Sequence, residues 1–125
     1  MSRQLGIVMD PIGAINIAKD SSFAMLLAAQ ARGWGLHYME MGDLCLRDGE
    51  AQGRMRRLTL RDDPTDWFTL ASPEVRTLAD LDVVLMRKDP PMDMEYIYAT
   101  YILEQAEHAG TLVVNRPQSL RDANE

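Results

Sequence analysis

The sequence predicts a layered α/β domain with a mostly parallel central sheet and an inserted β-hairpin. Three short apolar runs lack the helical period and are typical of buried strands; they cover residues 5–9, 81–86 and 111–114. Helical patterns separate these runs, and the hairpin turn signal Asp48-Gly49 stands in the middle of the chain. A length of 125 residues predicts one domain that is large enough to bury a core.

The first strand leads into a helix. Asp10-Pro11 ends the strand, and Asp20 or Ser21 then caps a helix that runs to about Arg32 and stops at Gly33. The apolar face of this helix is predicted to carry Phe23, Leu26, Leu27 and Ala31.

The second strand, at residues 36–40, completes a βαβ unit, which implies parallel pairing and a right-handed crossover. After this unit the predicted order changes from alternating strands and helices to consecutive strands. Residues 44–46 and 50–60 flank Asp48-Gly49 and predict a hairpin that projects from an edge of the sheet. A further short strand is expected at residues 67–70.

The last part of the chain repeats the strand, helix and strand order. The buried run at residues 81–86 stops at Pro90-Pro91, Asp93 can cap the next helix, and Gly110 ends it before the strand at residues 111–114. Side chains at helical spacing predict the buried face of this helix: Ile97, Tyr98, Tyr101, Ile102 and Ala106.

The composition excludes several classes of function. The net charge of −6 and the pI near 4.8 argue against a surface for nucleic acids or anionic membranes. Cys45 is the sole cysteine, so the chain can form no internal disulfide and no four-cysteine metal site; it is expected to be a small apolar strand residue. The first residues lack a signal sequence and no apolar stretch is long enough to span a membrane, so we expect a cytoplasmic protein.

Polar side chains follow the predicted strands where the strands end. Three strand ends carry them: Asp10, Arg87-Lys88-Asp89 and Asn115-Arg116. The loop and helix start after the first strand add Asn16, Lys19, Ser21 and Ser22. Because parallel strands end at one edge of a sheet, these groups are expected to line a crevice that favours an anionic ligand. The alternative is that Arg87 and Asp89 pair with each other or cap the following helix.

Other features point to structure rather than to chemistry. Gly6 and Gly13 form neither a dinucleotide fingerprint nor a P-loop, and no His and carboxylate set has metal-ligand spacing. His37 is expected to be an ordinary strand residue and His108 to end a helix, so we assign neither a catalytic role. Four arginines of the middle segment can form a solvated face or contact a partner subunit: Arg54, Arg56, Arg57 and Arg61.

Five motifs, in order and spread over essentially the whole chain, carry a resemblance to a known family. They are Gly6-Ile7-Val8-Met9-Asp10-Pro11, Lys19-Asp20-Ser21-Ser22-Phe23-Ala24-Met25-Leu26, Tyr38-Met39-Glu40-Met41-Gly42-Asp43-Leu44, Met86-Arg87-Lys88-Asp89-Pro90-Pro91 and Asn115-Arg116-Pro117-Gln118-Ser119-Leu120-Arg121-Asp122. The chain closely resembles the N-terminal domain of bacterial glutathione synthetases. The resemblance implies a layered, Rossmann-like pre-ATP-grasp domain at residues 1–121, with residues 122–125 beginning the connection to an ATP-grasp domain.

The resemblance also implies an activity. Enzymes of this family are ATP-dependent ligases that join γ-glutamylcysteine to glycine through an acyl phosphate, with magnesium, and they form homo-oligomers, tetramers among them. The ATP-grasp portion, which holds the nucleotide and the magnesium, would begin about where Glu125 stands. We therefore expect this chain to be part of a longer enzyme and to make no glutathione by itself.

For such a ligase, Arg87 is the first catalytic candidate, since an arginine can hold a carboxylate or a transferring phosphate in a bidentate way. Lys19, at the entrance to the first helix, is the second. The substrate-binding candidates that would form the wall of the crevice are Asp10, Asn16, Ser21, Ser22, Lys88 and Asp89.

Two other functions remain open from the residues alone. A free-standing α/β ligand-binding or receiver-like signalling module fits the length and the order of the elements. A receiver, however, needs an acidic pair after the first strand and a lysine before a late proline, whereas this chain has Asp10 alone and Arg116 before Pro117. The second alternative is an interaction domain whose hairpin assembles subunits.

Overall fold

The computed structural model describes residues 3–9, 11, 12, 21–61, 63, 65–87 and 94–114, and these form an α/β domain with one helix on each face of a sheet. The strands of the described part are β1 (Gln4–Val8), β2 (Gly35–Met39), β3 (Leu44–Arg47), β4 (Glu50–Leu60), β5 (Phe68–Leu70), β6 (Glu74–Thr77), β7 (Val83–Met86) and β8 (Leu112–Val114). The helices are α1 (Ser21–Ala31) and α2 (Met94–His108), and two short 3₁₀ helices cover Met41–Asp43 and Leu78–Asp80.

The centre of the sheet is parallel, as the sequence predicts. Strands β2, β1, β7 and β8 are neighbours in that order, and each pairs in parallel with the next. Val8 stands in register with Met39 on one side and with Met86 on the other. Helices on both faces bury β1, β2 and most of β7, which explains why their sequences are mostly apolar; the edge strand β8 is exposed at Leu112 and Val114.

The inserted hairpin differs from the expectation in one respect. It does not project from an edge: β4 lies within the sheet and pairs antiparallel with β2, β3, β5 and β6. The turn between β3 and β4 is the predicted one, with Asp48 at φ 52° and Gly49 at φ 79°, as a type I′ turn requires. The hairpin thus extends the parallel centre into a mixed sheet.

Strand β4 changes its buried face along its length. In the first half Ala51 and Met55 are buried on the side of α2, and in the second half Leu58 and Leu60 are buried on the side of α1. An eleven-residue strand can serve both cores because alternate side chains point to opposite faces. Strand β6, which we did not predict, lies beside the first half and is mostly exposed.

Two apolar clusters hold the layers together, one on each face. Helix α2 covers the cluster that includes Val8, Met39, Met55 and Leu78, while α1 covers the cluster that includes Ile7. Gln30 of α1 reinforces its layer with two hydrogen bonds of 2.8 Å, because its amide donates to the carbonyl of Leu60 and accepts from the amide of the same residue. The side chain thereby acts as a pairing partner for the end of β4.

Both helices end where the sequence predicts, with Gly33 and Gly110 in the left-handed region. Their buried faces are partly different from the prediction. Ala31, Tyr98 and Tyr101 are exposed, and the last two were expected in the core of α2. The prediction is confirmed at Ile102 and Ala106, and the rest of the buried stripe of α2 is Ala99, Thr100 and Leu103. Thr100 is tolerated there because its hydroxyl donates to the carbonyl of Ile97 at 2.6 Å.

Candidate active-site edge

The carboxyl ends of the parallel strands meet at one edge of the sheet. Pairing continues there by one residue, because the amide of Met9 donates to the carbonyl of Met39 at 3.1 Å and the amide of Arg87 donates to the carbonyl of Val8 at 2.8 Å. Arg87 and Glu40 therefore follow the two strands that flank β1. The guanidinium of Arg87 belongs to an exposed side chain at this edge, where open α/β sheets bind their ligands.

The other predicted site residues are covered only in part by the structure. Ser21 and Ser22 are the first two residues of α1. Because α1 crosses back between the parallel strands β1 and β2, its N-terminus lies toward the same edge as Arg87. The remaining predicted residues lie outside the described part of the chain: Asp10, Asn16, Lys19, Lys88 and Asp89.

A hydrogen-bonded group that the sequence did not reveal lies beside the same edge. The hydroxyl of Tyr38 accepts from the amide of Ile12 at 3.1 Å and donates to Oε2 of Glu40 at 2.6 Å. Tyr38 and Ile12 are both buried in the cluster under α1. Burial and the hydrogen bond to Glu40 raise the pKa of the Tyr38 hydroxyl above its ordinary value, so it stays protonated and able to donate.

The backbone of Glu40 is fixed by the 3₁₀ helix that follows it. The carbonyl of Glu40 accepts from the amide of Asp43 at 2.9 Å, and Oδ2 of Asp43 accepts from the amide of Glu40 at 2.8 Å. The second bond is the side-chain contact of Asp43 in a capping box. Together these bonds fix the backbone position from which the carboxylate of Glu40 reaches Tyr38.

A shallow cleft of about 170 Å³ opens next to this group. Its lining residues are Tyr38, Glu40, Asp43, Arg54, Arg56 and Pro73. No ion pair joins the carboxylates of the cleft to its guanidiniums; elsewhere in the described part, Arg61 pairs with Asp66 and Arg76 with Asp80. Of the four middle arginines, Arg54 and Arg57 are exposed, and Arg61 organises the connection from β4 to β5.

The two histidines lie where a structural role is expected. His37 is buried in β2, and its Nε2 donates to Oε1 of Gln4 at 2.7 Å. Burial, aided by Arg57 and Arg76, lowers the pKa of His37 to about 4, so the ring is neutral near pH 7. His108 is exposed in the last turn of α2, and Cys45 is exposed in β3.

In the part of the chain that the structure describes, no three His, Cys, Asp or Glu side chains converge as metal ligands.

Comparison with protein families settles the relationship that the motifs indicate. Residues 4–121 match the model of the prokaryotic glutathione synthetase N-terminal domain. The chain belongs to this family. Among the relatives, the glutathione synthetase of Yersinia pestis is 66% identical over 122 residues, and that of Escherichia coli (strain K12) is 65% identical over 122 residues. The glutathione synthetase of Pseudomonas putida is 64% identical over 125 residues.

The similarity covers 98% to 100% of this chain but only 38% or 39% of the length of these relatives. The match therefore assigns the family to the chain and leaves the larger part of the relatives without a counterpart here. Among the described residues, neither helix is long and apolar enough to cross a membrane.

Proposed function

We propose that this chain forms the substrate-side N-terminal domain, residues 1–121, of a glutathione synthetase, with residues 122–125 leading toward an ATP-grasp domain. The observation that carries the proposal is identity of 62% to 66% to glutathione synthetases over at least 98% of the chain. The parallel strand ends with Arg87 at their edge are consistent with a cleft wall for anionic groups.

The complete enzyme would join γ-glutamylcysteine to glycine in the cytoplasm. The cysteinyl carboxylate of the dipeptide takes the γ-phosphoryl group of ATP to form an acyl phosphate and ADP. The amine of glycine then attacks the acyl carbon, and inorganic phosphate leaves. This chemistry accumulates negative charge on the phosphoryl oxygens, so fixed cations at the cleft stabilise it.

Arg87 is the residue of this chain that we assign to that charge, with Lys19 as a second cation. A guanidinium can bind a carboxylate or phosphate with two parallel hydrogen bonds and thereby also orient it. The substrate contacts are assigned to Asp10, Asn16, Ser21, Ser22, Lys88 and Asp89. The complete enzyme is proposed to be a homo-oligomer, with a tetramer as the expected assembly.

Magnesium belongs to the other part of the enzyme in this proposal. Magnesium is usually bound through one or two carboxylates together with the phosphates of the nucleotide, so it is expected where ATP binds. ATP and magnesium are assigned to the ATP-grasp portion.

The test begins with the longer protein, in which the chain is joined to its downstream ATP-grasp portion. We expect ATP-dependent formation of glutathione by that protein and none by residues 1–125 alone. R87A should lower kcat/KM about 100-fold, and R87K should recover only part of it because a lysine cannot bind in the bidentate mode. R47A, which removes an exposed arginine of β3, should leave the rate unchanged.

Failure of the longer protein to make glutathione from the three substrates would refute the proposed activity. Near-normal turnover of R87A, alongside an active wild type, would refute only the role given to Arg87.

A further inference from the structure

Two hydrogen bonds fix the backbone where the chain leaves β1. On one side the amide of Met9 bonds to the carbonyl of Met39, and on the other side the amide of Ile12 bonds to the hydroxyl of Tyr38. Only Asp10 and Pro11 stand between these anchored residues in the sequence. Pro11, directly before Ile12, has a fixed φ and no amide proton, which limits the conformations that bring Ile12 to Tyr38.

We propose that Tyr38 is a positioning residue, whose hydroxyl, oriented by Glu40, fixes Ile12 where the chain leaves β1, at the strand-end edge that the proposed function assigns to the substrate. The inference rests on the proposed function for what this edge binds. For the anchor itself it rests on the hydrogen bonds alone.

The direction of each hydrogen bond follows from the groups involved. The amide of Ile12 can only donate, so the Tyr38 oxygen accepts there, and its proton is left for Oε2 of Glu40. The oxygen–oxygen distance of 2.6 Å is that of a hydrogen bond to a charged acceptor, which is stronger than one between neutral groups. With one bond accepted and one donated, the hydroxyl of Tyr38 has one preferred orientation.

A tyrosine that only filled the core would not need this arrangement. Its ring is buried with Ile12 and Phe23, and a phenylalanine could fill the same space. The hydroxyl adds a bond between segments 26 positions apart, and it supplies the partner of a buried amide. Removing it leaves the amide of Ile12 without that partner, which favours conformations in which Ile12 moves to reach water.

The anchor can be tested on the 125-residue chain without any assay of activity. Amide hydrogen exchange followed by NMR should be at least about tenfold faster at Ile12 in Y38F than in the wild type. The matched control is Y98F, which removes a hydroxyl from an exposed tyrosine of α2 and should leave exchange at Ile12 unchanged. Unchanged exchange at Ile12 in Y38F would overturn the proposal.

The positioning role is tested in the longer protein with its ATP-grasp portion. Y38F should raise the KM for γ-glutamylcysteine about fivefold or more, because a displaced Ile12 distorts the edge assigned to the substrate and weakens its binding. Simple loss of stability would instead lower the amount of active enzyme and leave KM unchanged. A normal KM in Y38F, with the wild type active, would therefore overturn the role. If the wild type itself forms no glutathione, the proposed function fails, and the exchange experiment alone decides on the anchor.

Discussion

Buried His37 should make the stability of this domain depend on pH in a way that can be isolated. The ring lies in β2, next to Gln4, with Arg57, Arg76 and Glu74 as the charged groups that act on it. Burial contributes most to keeping the ring neutral, and the two arginines add to this effect. Protonation of His37 in the folded domain is consequently unfavourable.

The magnitude follows from the two pKa values. The pKa of His37 is about 4 in the folded chain, against 6.5 for an ordinary histidine. Below pH 6.5 the ring is protonated in the unfolded chain but stays neutral in the folded chain, which favours unfolding. The stability that depends on neutral His37 is therefore fully present above pH 6.5 and is lost as the pH falls to about 4. At about 1.4 kcal/mol per unit the total loss is about 3 kcal/mol, of which about 2 kcal/mol falls between pH 7 and pH 5.

The assay is urea unfolding of wild type and H37Q at pH 7, 6 and 5. The free energy of unfolding of the wild type should fall relative to that of H37Q by about 2 kcal/mol over this range. Comparison with H37Q subtracts the titration of the carboxylates, which both proteins share. H108Q, which removes the exposed histidine of α2, should retain the wild-type loss. Parallel pH dependences of wild type and H37Q would refute the argument.

Two further substitutions test the packing of the layers by urea unfolding. G6A should destabilise the domain by about 1–3 kcal/mol, because the new methyl group would lie 2.6 Å from Cδ1 of Leu81. The double variant G6A/L81A should then be more stable than the sum of the single effects predicts, and strict additivity would argue against the clash. Q30A should lower the free energy of unfolding by about 1–2 kcal/mol, because it removes the side-chain partner of both the amide and the carbonyl of Leu60. Q105A, at an exposed site of α2, should change the free energy of unfolding little. Equal effects of the two glutamine variants would contradict this role of Gln30.

Local patterns predicted the elements that bury a continuous apolar run or contain a specific turn. The parallel strands, the Asp48-Gly49 turn and the glycines that end the helices are of this kind, and the structure confirms them. Strand β6 was missed because Glu74–Thr77 has little buried surface and depends on backbone pairing with β4. The exposure of Tyr98 and Tyr101 was missed because helical spacing gives a stripe without fixing its rotation about the axis.

In the candidate site, too, local sequence predicted one part and could not predict another. Arg87 could be located from sequence because it directly follows a buried run that has to end at the edge of a sheet. The bond between Tyr38 and Ile12 could not, because it joins positions 26 residues apart and uses a backbone amide, which is present at every residue other than proline. The alternation Tyr38-Met39-Glu40 does place the phenol and the carboxylate on one side of the strand, which is the single local signal for their contact.

The sequence by itself determined the order of the elements, the parallel centre of the sheet and the strand-end position of Arg87, since each depends on hydrophobic runs and turn residues that act over a few positions. Only the tertiary structure decided that β4 enters the sheet and serves both cores. Only the tertiary structure, likewise, brought Ile12 to the hydroxyl of Tyr38. Both depend on how distant segments pack and satisfy each other's buried polar groups, and no local pattern encodes that.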